Sequence, residues 1–355
     1  MVDQEPVHEA VRAYAAMQPG LTAVTGRYVD LIRTLLDDAG IDYLSVDGRT
    51  KSVASFAAKA HRTRDGSVLY PDPLEQITDV VGVRVITYVQ SDVAAVAELL
   101  DDEFTVLDDR DLGEETARAG RFGYASRHLL VRVDRPDSHL NGATSFDVPA
   151  GLPHGSELSQ RVSVQLRTVL QHAWAEFEHD IRYKGTVPEE AAPDLDRRFT
   201  LAAGLIELAD REFATIRARI QEAAPTGPGA AEQVTSGTGA ETAGDDEVAG
   251  QELAQFLAGH YSEAGWSHTD HYGWIAGLLR ELGITSLDEL DALLTSVDAD
   301  AIIARMGYKY PAGAVRRLDD ALLAIFGEQY VTLEGNSHRV PRLRERLDRL
   351  TAAQG

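Results

Sequence analysis

The sequence predicts an α+β fold: a unit of strands and helices over residues 1–224, a flexible linker at 225–250, and a mostly helical module over 251–355. Three observations predict it. Within Ser163–Gly185, residues 162–167 alternate with period two, and then Leu170, Trp174, Phe177 and Ile181 recur at helical spacing, so a strand runs into a helix. Ile77–Tyr88, ITDVVGVRVITY, is rich in β-branched residues and reads as a central strand. Between the two units, residues 225–250 are Gly, Ala, Thr, Pro and acid with almost no large apolar side chain, which marks a linker.

Taken in order, Leu21, Val24, Tyr28, Leu31, Ile32, Leu35 and Leu36 form a helical stripe that ends near Gly40. Ile41–Val46 reads as a short strand, residues 92–100 as a helix and residues 104–107 as a strand. Tyr124–Val133 is the next strand, with Tyr124, Ser126 and His128 on one face. A long Gly/Pro/Ser-containing loop, residues 134–159, leads to the strand of the opening stretch, which sets Ser163, Gln165 and Arg167 on one face. Leu201, Leu205, Leu208, Ile216 and Ile220 give a long amphipathic helix. In the last module, Ser286 with Glu289 fits a capping box. His260, His268 and His271 lie close in sequence but not at a helical ligand spacing, so capping and surface roles are expected of them rather than metal binding.

The chain's 355 residues suffice for two ordinary domains, and 44% hydrophobic residues place it among globular proteins. The absence of cysteine excludes disulfides, thiolate zinc sites and a cysteine nucleophile. The acidic, polar start and the lack of any apolar run of spanning length predict a cytoplasmic protein that does not enter membranes. A net charge of −23 argues against nucleic acid as a general partner. It leaves room for nucleotides, which need only a local basic pocket.

Such a pocket has candidates. Gly48–Arg64 contains Arg49, Lys51, Lys59, Arg62 and Arg64 and no acid, in an otherwise acidic chain. Asp79, Gly82 and Arg84 lie on the central strand. Asp79 is odd and Arg84 even, so a bulge at Gly82 is expected to bring both to one face. The Arg at the strand-to-helix switch, Arg167, suits a phosphate. A carboxylate for Mg²⁺, cations for phosphate oxygens and an aromatic for a base are the groups that nucleotide phosphotransfer needs. There is no Walker-type P-loop and no internal repeat.

Four pieces, GRTKSVASFAAK, ITDVVGVRVI, GYASRH and VQLRTVLQHAWAEFEHDIRYKG, occur in the order found in the synthetase domain of the RelA/SpoT family, which residues 20–220 resemble. The resemblance implies a mixed sheet flanked by helices, related to nucleotidyltransferases. It implies transfer of the β,γ-pyrophosphate of ATP to the ribose 3′-OH of GDP or GTP, releasing AMP, with Mg²⁺ as cofactor. By position, Arg49, Lys51, Ser55 and Lys59 match the ATP-side basic loop, and Arg49 with Arg84 the pair that sandwiches adenine. Asp79 matches the Mg²⁺ carboxylate, Tyr124 the ring on the acceptor guanine, and His128 its neighbour at the acceptor phosphates. Gln165 and Arg167 match the motif that closes the site.

One position departs. The family motif begins with Glu, as E-x-Q-x-R-T, and here Ser163 stands in that place. Serine neither ligates a cation with charge nor acts as a base unaided. The nearest acids in sequence are Glu157, Glu176 and Glu178. Two alternatives therefore stand beside the synthetase: a weakened or inactive nucleotide-binding regulator, and a relative that pyrophosphorylates the tRNA 3′ end. The N-terminal ~45 residues are too few to hold the family's helical, metal-dependent hydrolase domain. The C-terminal module is expected to regulate or to make a homo-oligomer.

Overall fold

The computed structural model describes residues 5–64, 67–120, 122–123, 125–133, 157–184, 192–222, 245–262, 264–265, 267–308 and 312–352. It divides into two compact units, residues 1–35 with 43–211, and residues 36–42 with 212–355. The end of the first helix and the residues just after it, 36–42, belong to the second unit.

The first unit is built on a five-stranded mixed sheet. In chain order its elements are α1 (Glu5–Ala39, whose last residues lie in the second unit), β1 (Ser45–Thr50), α2 (Val53–Ala60), β2 (Thr63–Arg64), β3 (Ser67–Val68) and α3 (Pro73–Gln76). Then come β4 (Val81–Thr87), α4 (Gln90–Glu103), β5 (Thr105–Asp111), α5 (Leu112–Arg118), β6 (Arg127–Arg132), α6 (Glu157–Gln160), β7 (Arg161–Thr168), α7 (Val169–Lys184) and α8 (Ala192–Glu222). The strand order is β1-β4-β7-β6-β5; β4 and β7 run parallel and the other neighbours antiparallel.

Alternation divides the sheet into two faces. Val46, Val81, Val83, Val85, Leu129, Val131, Val162, Val164 and Leu166 are buried on one. α4 lies against it through an apolar stripe that includes Val93, Val96 and Leu100. α1 crosses at Gly48, where an added Cβ would stand 2.7 Å from Thr25 and Val29 methyls, so only glycine lets the helix approach. The other face is polar and holds the candidate residues.

Several boundaries differ from the sequence reading. Residues 77–80 precede β4 rather than begin it, and the ladder runs through Gly82 with no bulge, so Asp79 reaches the site from the strand's approach. The strand expected from Tyr124 starts at Arg127, and β1 starts at Ser45. Tyr124 and residues 134–156 lie outside the described residues. Helix forms from Asp245, inside the expected linker. Leu201, Leu205, Leu208, Ile216 and Ile220 on α8 are exposed; the described buried residues of that helix are Ala203 and Asp210.

The second unit contains α9 (Asp245–His260), α10 (Thr269–Glu281), α11 (Leu287–Thr295), α12 (Ala299–Met306), α13 (Ala314–Phe326), α14 (Glu328–Val331) and α15 (Val340–Thr351). Ser286 caps α11, accepting from Glu289 N at 3.2 Å, and the Glu289 carboxylate accepts from Thr285 N at 2.9 Å. The three histidines serve separate contacts: His260 faces Asp291, His268 caps α10 and His271 meets Asp37. No group of three metal-ligating side chains occurs among the described residues.

The centre of this unit is ionic as well as apolar. Arg346, 2% exposed, bonds Asp319 at 2.7 Å and Asp320 at 2.8 Å. Arg339 also bonds Asp319, Arg316 bonds Asp320, and Asp38 from the end of α1 faces Arg316 and Arg346. Burial by itself would raise the Asp319 and Asp38 carboxyls; the surrounding guanidinium groups more than offset that and hold both below the ordinary range. Removing one member of a buried ion network leaves its partners uncompensated, typically at ~3–5 kcal/mol. Asp319→Ala is therefore expected to destabilise the second unit by that amount. Hydrogen exchange on α13 and α15 checks it, and unchanged protection there would contradict the network's role.

Candidate active site

Strand register arranges the polar face in rows. One row across all five strands is Asp47, Arg84, Gln165, His128 and Arg110. The adjacent row is Arg49, Gly82, Ser163, Leu130 and Asp108. Arg49 and Arg84 are thus diagonal neighbours on adjacent strands, with Gly82 opposite Arg49. Diagonal positions stand ~7–8 Å apart. Two van der Waals stacking distances of ~3.5–4 Å equal that interval, so at the level of the strands the Arg49–Arg84 gap is a slot of ring-stacking width. Gly82 adds no side chain to close the slot.

At the margin of this face the β1–α2 turn supplies cations. Ser52 caps α2 and accepts from Ser55 N at 3.2 Å. Lys51 and Lys59 each donate to one oxygen of Asp79, at 2.8 Å and 2.9 Å. Burial raises the Asp79 carboxyl, and the hydrogen bonds and charges of the two lysines outweigh it, so the group is held below its ordinary value. The turn is fastened from below: Tyr14 Oη donates to Lys51 O at 2.6 Å, Tyr14 stacks on Phe56, and the Thr25 and Thr50 hydroxyls bond at 2.7 Å.

Asp79 fits a cation of the Mg²⁺ type, which takes one or two carboxylates and completes its shell with water and phosphate oxygens. Ser163 adds no charge. Its row neighbours are Gly82 and Leu130, so the side chains of the three central strands place no carboxylate in that row.

Arg167 is 5% exposed and turned inward, donating from Nε to Ser126 Oγ at 3.2 Å and from Nη2 to Gln165 Oε1 at 3.1 Å. It orients Gln165 rather than standing in solvent. The helix end after it is already capped: Gln171 N donates to Thr168 Oγ1 and Thr168 N to Gln171 Oε1, a reciprocal pair at 3.2 Å and 3.0 Å. Burial, with Arg167 and Arg110 nearby, lowers His128 to about 4, so it is neutral at pH 7. Arg62 and Arg64 are exposed, Arg62 just before β2 and Arg64 within it.

Two residues enter that sequence reasoning did not assign. Glu176, which the sequence offered only as one of three nearby acids beside Glu157 and Glu178, reaches from α7 to Arg84 Nη1 at 2.9 Å. Asp210, buried on α8, accepts from Thr168 Oγ1 at 3.0 Å. No signal marked Asp210, since it meets Thr168 across 42 residues of chain. The open pocket beside Trp174 and Phe199 also takes in Phe122, Gly123, Glu178, Asp196 and Thr200.

The site is thus a mixed sheet whose polar face carries Arg49 and Arg84, with a lysine-held carboxylate at its margin. Comparison with known proteins gives the family. Residues 48–187 match the region found in RelA / SpoT proteins. A curated relative, GTP pyrophosphokinase YjbM of Bacillus subtilis (strain 168), is 32% identical over 200 residues, 54% of this chain and 81% of the relative. The chain belongs to the RelA/SpoT family. Among solved structures, small alarmone synthetase 1 from Bacillus subtilis is similar at 27% identity, covering 60% of this chain and 97% of that one, with a TM-score of 0.42. The same enzyme bound to its product pppGpp is similar at 26% identity, covering 59% and 97%, with a TM-score of 0.42.

Burial raises Asp210 to about 6, with the Thr168 bond acting partly against it. A folded-state value above the unfolded one means the folded state holds more protons between pH 4 and 6, so stability falls as pH rises through that window. Asp210→Asn keeps the acceptor and removes the charge. It is expected to flatten that slope and to stabilise the first unit at pH 7.5 by ~1–3 kcal/mol, read from denaturant unfolding at several pH values.

Proposed function

We propose that the protein is an ATP:GTP 3′-pyrophosphotransferase, a cytoplasmic alarmone synthetase of the small type carrying an additional helical module. The observation that carries the reading is the Arg49–Gly82–Arg84 slot on the same polar face as Gln165 and His128, with Lys51, Lys59 and Asp79 at its margin. The name of the curated relative favours transfer over a purely regulatory role.

In this reading adenine of ATP stacks between Arg49 and Arg84, by cation–π and planar contact. Lys51, Lys59 and Ser55 take the phosphates, where charge-assisted bonds are strongest. Asp79 would hold Mg²⁺, which would supply charge to neutralise phosphate oxygens. Arrival of a polyphosphate gives the two ammonium groups new anionic partners and frees the carboxylate. On the acceptor side, Tyr124 stacks on guanine and neutral His128 hydrogen-bonds the acceptor phosphates. Gln165, fixed by Arg167, aligns the junction between the two nucleotides.

The reaction forms a bond from the ribose 3′-oxygen to the β-phosphorus of ATP. It breaks the bond between that phosphorus and the α,β-bridging oxygen, which leaves on AMP. The 3′-hydroxyl proton passes to solvent or to a nearby base. Positioning and electrostatics supply most of such a barrier reduction. The exposed apolar row on α8 supports association of copies of the chain.

Incubation with Mg²⁺, ATP and GDP or GTP is expected to release AMP in step with a 3′-pyrophosphorylated guanosine nucleotide, seen by ion-exchange analysis. Asp79→Asn is expected to reduce the rate at least 100-fold. No AMP above blank across pH 6–9 would overturn the reading, and labelled tRNA in place of GDP tests the other acceptor. Ser163→Glu places a carboxylate in the Gly82–Leu130 row and is expected to raise the rate ~10-fold or more. A rate no higher than the parent's would show that Ser163 is not limiting.

A further inference from the structure

Glu176 pairs with Arg84, a contact that the reaction scheme above does not use. It stands one turn after His172 on the same face of α7, and its Oε1 accepts from Arg84 Nη1 at 2.9 Å, with His172 Nδ1 at 3.7 Å. That pairing fixes one edge of the Arg84 guanidinium, and so the plane of its face. Arg84 Nε is buried without a hydrogen-bond partner, so Glu176 is the group that orients the guanidinium. Glu176 itself is 54% exposed, which leaves its second oxygen open to a ligand.

A carboxylate accepts hydrogen bonds and donates none. A ring stacked on Arg84 brings its edge alongside the groups that rim the guanidinium, Glu176 among them. Adenine presents an amino donor at its six position, where guanine presents an oxygen acceptor. The carboxylate therefore attracts the first and repels the second. We propose that Glu176 is the residue that positions Arg84 and selects a 6-aminopurine as the base of the pyrophosphate donor. This rests on the donor-site reading above and deepens it.

The test compares ATP with purine riboside triphosphate, which lacks only the amino group, with GDP as acceptor, on the full chain and on Glu176→Ala. The parent is expected to prefer ATP by ~10–100-fold in kcat/KM for AMP or purine riboside monophosphate release. In the variant that preference should fall to within about threefold of unity, with KM for ATP raised and KM for GDP unchanged, since the effect is confined to the donor base. An equal preference in parent and variant would overturn the proposal. So would a fall in kcat with both KM values unchanged, which would put Glu176 at the reacting atoms. Equilibrium binding of the two triphosphates gives the same ratio without turnover. Absence of AMP release with the ratio intact would count against the transfer reaction alone, and loss of the ratio in the parent would count against Glu176.

Discussion

Lys51 and Lys59 on the two oxygens of Asp79 are the interaction on which the rest of the site depends. Two ammonium groups and one carboxylate leave a net positive charge at the edge of a strongly acidic chain. A charge of that kind persists only if its members are held apart from the protein's other acids. The holding is done by the backbone. Lys51 N bonds Val80 O, which continues the β1–β4 ladder past the last strand residue, and Tyr14 takes the Lys51 carbonyl from beneath. Burial raises Tyr14 to about 12, with the Asp79 charge adding to it, so the phenol stays a donor at any physiological pH.

The same sheet solves two problems with its two faces. Valine and leucine on one face bury against α1 and α4, and this packing fixes the register. Register then decides which side chains meet on the other face, because a slip of one residue would exchange the faces. Arg49, Gly82 and Arg84 are neighbours only while β1 and β4 pair as they do, and Gln165 joins the Arg84 row only through the parallel pairing of β4 with β7. The function of the polar face is thus a consequence of apolar packing on its reverse.

Much of this was legible in sequence. Period-two alternation found β7 and the shared face of Ser163, Gln165 and Arg167, and the run of β-branched residues found β4. The approach to β4 was misread because Ile77 and Val80 are as β-prone as the strand itself, and no Gly or Pro marks the turn. That one error made a bulge seem necessary to explain Asp79. Arg167 and Gln165 were named, but their inward pairing with Ser126 depends on contacts across strands, which periodicity does not report. The destination of Glu176, on a strand 92 residues away, is hidden for the same reason. In the second unit, Asp319, Asp320, Arg339 and Arg346 look like solvated helix faces until the helices are assembled, when they become its buried centre with Asp38.

In the proposed reaction Asp79 exchanges its two lysines for a cation when a nucleoside triphosphate enters. A structure of the full chain with Mg²⁺ and a non-hydrolysable ATP analogue measures this directly. The account predicts an Asp79 oxygen turned to the cation, with Lys51 Nζ and Lys59 Nζ moved onto phosphate oxygens. Both lysines still on Asp79, with the triphosphate bound elsewhere, would contradict it.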